Sequence, residues 1–180
     1  MKKNKILWVI VVLSIVITTM YMLSKDNCTD EACSSTFNPK NTSFTIDGVL
    51  VTLKNGVSET LATPGSASRV TTRYFGNDVV GDLNGDGEDD VAFLVTQDTG
   101  GSGLFYYAVV ALQTHPGHAL TNAFLIGDRI APQNNKIVSG ELHVNFAERK
   151  EGESMTVPPS VGAVLLLRVT PENKLVGLMQ

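Results

Sequence analysis

The sequence predicts a mostly β domain behind one N-terminal transmembrane helix, and three observations carry that expectation. An uncharged apolar run, residues 6–23, follows Lys2, Lys3 and Lys5. From residue 44 onward short apolar runs alternate with Asp-Gly, Asn-Gly and Ser-Gly turn signals. No window after residue 24 carries a 3.6-residue apolar stripe, so helices are not expected there. The fold expected is an antiparallel meander, a sandwich or a partly open barrel. The chain divides into a cytoplasmic tip and anchor (1–24), a flexible tether (25–43) and an extracytoplasmic β-domain (44–180).

The anchor is long enough for its task. Residues 6–23 would rise about 27 Å as a helix, close to the roughly 30 Å hydrocarbon core of a bilayer. Trp8 and Tyr21 stand near its two ends, where aromatic side chains favour the interface. Three lysines lie before the run, whereas Lys25 is followed by Asp26, Asp30 and Glu31. The positive-inside rule then places the N-terminus in the cytoplasm and the rest of the chain outside a bacterial cell membrane. A cleaved signal peptide is the competing reading. Its apolar region would be shorter and would end at small residues, whereas this one ends Thr-Thr-Met-Tyr-Met-Leu-Ser-Lys. No lipobox precedes Cys28. The tether is polar and aperiodic, and its Cys28 and Cys33 could pair locally or between chains in an oxidising compartment.

The strands follow in order. Residues 44–46 and 49–53 flank Asp47-Gly48, and Asn55-Gly56 comes next. Both dipeptides favour the tight hairpin turn whose two central residues need φ > 0. Residues 70–75 are rich in Thr and aromatics. Residues 91–96 and 104–112 are the clearest strands, the second expected to be buried on both faces. Residues 123–126, 141–147, 163–169 and 175–179 complete eight or nine strands. Ser139-Gly140 is expected to turn the chain into the alternating run Glu141-Leu142-His143-Val144-Asn145-Phe146.

Charge is concentrated in one place. The whole chain carries a formal net charge of −4. From residue 44 to the end there are nine Lys/Arg and fifteen Asp/Glu, and Asp82, Asp86, Glu88, Asp89 and Asp90 alone supply five of the acids. Such a focus repels itself unless a cation or many donors lie among the oxygens. No basic stripe is present, which disfavours nucleic acid as a partner.

That focus has a pattern. In Asp82-Leu83-Asn84-Gly85-Asp86-Gly87-Glu88-Asp89-Asp90, oxygen-bearing side chains recur at positions 1, 3, 5 and 9. Gly87 at position 6 permits a sharp turn, and position 7 offers the Glu88 carbonyl. Ca²⁺ takes six to eight hard oxygen ligands, and alternate residues of a tight loop can converge on one point. The expected metal ligands are therefore Asp82, Asn84, Asp86, Glu88 and Asp90, with Ca²⁺ as the cofactor. An ion-free Asx-rich turn is the alternative, and Mg²⁺ is disfavoured by its stricter octahedron.

The stretch resembles the D-x-N-x-D-G-x-x-D loop of EF-hand, dockerin and FG-GAP proteins. Position 12 is Phe93 rather than the bidentate Glu of an EF-hand, and the flanks read as strands. Both departures match the FG-GAP form, which implies a structural ion rather than a helix-opening sensor. The wider stretch, Tyr74-Phe75-Gly76-Asn77, the acidic loop, residues 91–97, residues 100–107 and residues 125–133, resembles a recurring domain of bacterial envelope proteins that has no assigned activity, and the resemblance spans nearly all of residues 44–180. That resemblance implies export, not a mechanism.

No catalytic set emerges. Gly100-Gly101-Ser102-Gly103-Leu104 lacks the final Gly of a G-x-S-x-G elbow and reads as a hairpin loop. His115-Pro116-Gly117-His118 reads as a turn rather than a metal site completed by His143. Asp128-Arg129 reads as a structural ion pair. The function expected is a non-enzymatic envelope module with a protein or glycan partner. The alternatives are an inhibitor directed at lysozymes or proteases, and a Ca²⁺-dependent hydrolase using Asp128, Arg129 or His143.

Overall fold

A computed structural model describes residues 37–65 and 67–178. The expected anchor and the cysteine-bearing tether up to residue 36 lie outside the described residues. Among the described residues no helix is long and apolar enough to cross a membrane. The described chain is mostly β, built from antiparallel sheets with a half-barrel curl.

Twelve strands form three sheets among the described residues. A small hairpin pairs β1 (Ser43–Ile46) with β2 (Val49–Thr52). The central sheet runs β3 (Val57–Leu61), β4 (Arg69–Gly81), β5 (Asp90–Asp98), β6 (Phe105–Gln113) and β7 (His118–Leu120), each beside the next. β8 (Phe124–Asp128) pairs with the other half of the β6 edge that β7 begins to cover. The third sheet is ordered β12 (Leu175–Gly177), β11 (Val161–Val169), β10 (Glu141–Glu148) and β9 (Ala131–Val138).

β5 and β6 set the layering. Alternate side chains of a strand point to opposite faces, so a strand buried on both faces reads as an unbroken apolar run. On one face Ala92, Leu94, Ala108 and Val110 pack against Leu142, Val144 and Leu167 of the third sheet. On the other, Phe93, Val95, Tyr107 and Val109 are covered by Phe44, Ile46, Val51 and Leu53 of the hairpin segment. All four residues Phe93, Leu94, Val109 and Val110 are fully buried. The central sheet is thus sandwiched between the third sheet and the small hairpin.

The expected turns form as their residues dictate. Asp47 and Gly48 have φ of 50° and 80°, Asn55 and Gly56 have 53° and 85°, and Ser139 and Gly140 have 52° and 78°. All three dipeptides therefore place both central residues in the left-handed region, which matches the twist of the flanking strands.

Three strands exceed the sequence expectation. β3 (VSETL) and β9 (APQNNKIV) are edge strands with mostly exposed side chains, and β7 has only three residues. Edges carry polar residues and Pro because one side lacks a ladder partner, and this erases the apolar signal. The domain also starts earlier than residue 44. Phe37 lies 5.9 Å from the Phe93 ring and 4.9 Å from the His118 ring. The Lys40 carbonyl accepts from Gly56 N at 2.7 Å. Residues 37–43, expected in the tether, thus pack as part of the β-domain, which clusters as a compact unit from Phe37 to Gln180.

Candidate functional site

The acidic loop is the connection between β4 and β5, with Gly81 and Asp90 paired at its base. Its shape comes from side chains folding back onto backbone amides. Asp82 Oδ1 accepts from Gly85 N at 2.6 Å and Asp82 Oδ2 from Gly87 N at 3.0 Å. Asn84 Oδ1 accepts from Asp86 N at 2.9 Å, and Asp86 Oδ1 accepts from Glu88 N at 2.8 Å. Asn84 Nδ2 donates to Asp86 Oδ2 at 2.8 Å. These are Asx turns in series: Asn84 and Asp86 each reach two positions ahead, and Asp82 reaches three and five positions ahead. Gly85 and Gly87 have φ of 83° and 86°, and a methyl group at either would meet open space. The backbone there needs glycine for its torsion, not for room.

Asp90 differs from the others. It is fully buried at the first position of β5. Its Oδ2 accepts from Leu83 N at 2.9 Å and its Oδ1 from Gln113 N at 2.9 Å. One carboxylate therefore ties the start of the loop to the end of β6. Burial pushes the Asp90 carboxyl up, against the pull of those two amides, and the neighbouring Asp86 and Asp82 charges push the same way. Asp82 moves down, because the Gly85 and Gly87 amides favour its charged form.

Of the five expected ligands, Asp82, Asn84 and Asp86 are joined through loop hydrogen bonds, and Asp90 lies at the base of the same loop. Glu88 is exposed and contributes its backbone to the turn. Each bonded side-chain oxygen accepts one N–H, from the backbone in every case but Asp86 Oδ2, and retains a further lone pair. Among the described residues no group of three or more His, Cys, Asp or Glu side chains is gathered as a ready metal cluster. Among the described residues the ion pairs are Arg69–Glu59, Arg129–Asp128 and His143–Glu141, and none involves an acid of this loop.

No protein-family model, curated protein or solved structure matches this chain.

The other expected groups have structural surroundings. Asp128 ends β8, and Arg129 follows with φ of 49°. Arg129 Nε lies 3.1 and 3.0 Å from the two Asp128 oxygens, and its NH2 lies 2.6 Å from Oδ2. Asp128 Oδ1 also accepts from Leu104 N, whose own carbonyl accepts from Arg129 N. Arg149 then donates to the Arg129 carbonyl and to the Val157 carbonyl. The guanidinium of Arg129 holds the Asp128 carboxyl below the usual carboxylate range. This network fastens the β5–β6 loop and the β8–β9 turn to the end of β10.

His115 to His118 form a turn closed by Thr114 N donating to the Gly117 carbonyl at 2.8 Å. His118 faces Phe37, whereas His143 lies on the third sheet beside Glu141. Residues 99–104 connect β5 and β6, as a hairpin loop does.

Sequence reasoning missed Asn122. It interrupts the β7–β8 path, donates to the Leu175 carbonyl at 3.2 Å and accepts from Leu175 N at 3.0 Å. The next amide, Ala123 N, donates to the Thr45 carbonyl at 2.8 Å. Two successive residues thus link all three sheets, and no local pattern announces such a role.

Proposed function

We propose that this chain is a membrane-anchored, extracytoplasmic envelope module whose β-domain is stabilised by one Ca²⁺ in the loop 82–90, and that it acts by binding a protein or glycan partner rather than by catalysis. The observation that carries the ion is the loop itself. Five acids stand within nine residues on this connection and at its base, none in an ion pair among the described residues, and the alternate oxygens of Asp82, Asn84 and Asp86 are already ordered by backbone amides. A cation there would relieve their mutual repulsion and draw their oxygens together on one point. The Glu88 carbonyl and Asp90 would complete the oxygen set. The loop joins two strands, so the ion would brace the sheet and would not open a helix pair.

Support for a binding role over hydrolysis comes from Asp128 and Arg129. Asp128 holds Leu104 N and the Arg129 guanidinium holds Asp128, so using either group in hydrolysis would break the network that fastens these loops.

The test is isothermal titration of the full-length chain in detergent with CaCl₂, beside an Asp82→Ala, Asp86→Ala double variant. One site of about 10⁻⁴–10⁻³ M affinity is expected in the parent, as in extracellular calcium modules. The double variant should show none. Absence of uptake by the parent up to 10 mM, or equal uptake by both, would remove the ion from this account.

A further inference from the structure

A second feature lies at the other end of β5. Between the hairpin tip and the outer strands of the central sheet is an open cleft of about 270 Å³. Its floor is a polar row set by register: Ser58 pairs with Thr72, and Thr72 pairs with Gln97, so β3, β4 and β5 each present one hydrogen-bonding side chain. Gln97 Nε2 donates to Thr72 Oγ1 at 3.2 Å, and the Thr72 side chain is buried. Its apolar flanks include Leu50 and Leu61, which are 67% and 53% exposed. Asp47 is the only charged residue of the lining. Among the described residues it has no ion pair, and the left-handed Asp47-Gly48 turn fixes its position.

These features narrow the ligand. The volume lies just under the usual range for small-molecule pockets, so it suits one long side chain rather than a nucleotide. With no cation in the lining, an anionic group would be desolvated without a partner. With no aromatic face in the lining, a sugar ring would lack a stacking platform. A carboxylate, hydroxyls and aliphatic flanks together match an ammonium on an unbranched alkyl stem, whose stem packs while its head stays hydrogen-bonded. Leu50 and Leu61 line the cleft and stay largely exposed, so an occupant that covers them is larger than a free amine.

We propose that this cleft receives a lysine side chain projected from a protein partner, with the ammonium group against Asp47 and the stem between Leu50 and Leu61. The inference rests on the binding-module reading above and makes the partner a protein. It is independent of the ion, because β5 separates cleft and loop by about 25 Å of extended chain.

The experiment uses the ¹⁵N-labelled full-length chain in detergent with saturating CaCl₂. It is titrated with Nα-acetyl-lysine methylamide and with its uncharged isostere, Nα-acetyl-2-aminoheptanoic acid methylamide. The lysine probe should shift the amide resonances of Ser58, Thr72 and Gln97 at millimolar concentration. It should bind about threefold to fivefold more tightly than the isostere, the worth of one exposed charge pair. Asp47→Asn, which keeps the size of the side chain, should erase that preference. Equal binding of the two probes, no shift at the floor residues, or a preference that survives Asp47→Asn would each overturn the inference. The Gly85 and Gly87 amides report the ion in the same spectra, so failure at the cleft is distinguishable from failure at the loop.

Discussion

Replacing Asp90 tests both the architecture of the loop and the ion proposed for it. In the structure its two oxygens satisfy Leu83 N and Gln113 N inside the domain. Asp90→Ala leaves both amides without an acceptor. An unsatisfied buried donor costs about 1–3 kcal/mol, so the expected loss is about 2–6 kcal/mol. Asp90→Asn keeps one acceptor and points an NH₂ group at the other amide. Its expected loss is about 1–3 kcal/mol, reduced by removal of a charge whose burial is unfavourable. Calcium adds a second axis. With a dissociation constant of about 0.1–1 mM, 10 mM Ca²⁺ stabilises the parent by about 1.4–2.7 kcal/mol. At about 2–4 °C per kcal/mol for a chain of this size, its Tm should rise by about 3–11 °C. Circular-dichroism melts of the full-length chain in EDTA and in Ca²⁺ measure both effects. Asp90→Asn should melt below the parent in EDTA and lose most of the calcium increment. If Asp90→Asn in EDTA melts with the parent, the carboxylate does not hold β6 to the loop and the reasoning fails. If the parent ignores Ca²⁺, only the ion is lost.

Three further outcomes follow from the same structure. Gly87→Ala, at φ of 86° with open space around the new methyl, should cost about 1–2 kcal/mol from backbone strain and weaken calcium uptake; unchanged melting would show that the loop can relax its torsion. Leu94→Ala empties a fully buried site between the central and third sheets and should cost about 2–5 kcal/mol by chemical denaturation, with a smaller loss only where the sheets collapse onto the cavity. Tyr74 is pushed up to about 12, first by burial, then by donating to Asp78 Oδ2 at 2.7 Å and by that carboxylate's charge. A raised phenol pKa means that the folded state prefers the neutral form, so this stability is present below about pH 10 and is lost as pH rises towards 12. Asp78→Asn should move the Tyr74 inflection down in an ultraviolet phenolate titration, and an unmoved inflection would refute the assignment.

What was legible in the sequence is what local chemistry decides. Asp47-Gly48, Asn55-Gly56 and Ser139-Gly140 announce their turns because only certain residues tolerate two successive positive φ values. β5 and β6 announce themselves because a strand covered on both faces cannot afford polar alternation. β9 stayed hidden because Pro132, Gln133, Asn134, Asn135 and Lys136 suit an edge and look like a loop. The candidate site was legible in composition but not in geometry. Asp90 reads as a ninth-position ligand, and its bond to Gln113 N, 23 residues away, follows from strand order alone. The row Ser58–Thr72–Gln97 is likewise invisible in one dimension, because it needs two registers to align three distant residues. Residues 37–43 lack periodicity and so read as tether, although Phe37 has a place against Phe93 and His118.

The proposed ion has one physical competitor that a simple calcium titration does not separate. Repulsion among exposed carboxylates is screened by any salt, with a Debye length of about 10 Å at 0.1 M and about 3 Å at 1 M. A hairpin loop stiffened by dispersed counterions would also melt higher when CaCl₂ is added. The two accounts differ at constant ionic strength. Screening depends on ionic strength and not on the identity of the ion, whereas ligation by carboxylate, amide and carbonyl oxygens favours Ca²⁺ over the smaller Mg²⁺ and its strict octahedron. Melts at fixed ionic strength, with CaCl₂, MgCl₂ or NaCl making up the difference, should therefore rank Ca²⁺ above Mg²⁺ and Mg²⁺ above Na⁺. The Asp82→Ala, Asp86→Ala double variant should lose the ranking and keep any common salt response. Identical melting in the three salts would make the acidic loop an Asx-capped turn that tolerates its charge through solvent alone, and the β-domain would then owe its stability to the two cores on either side of β5 and β6.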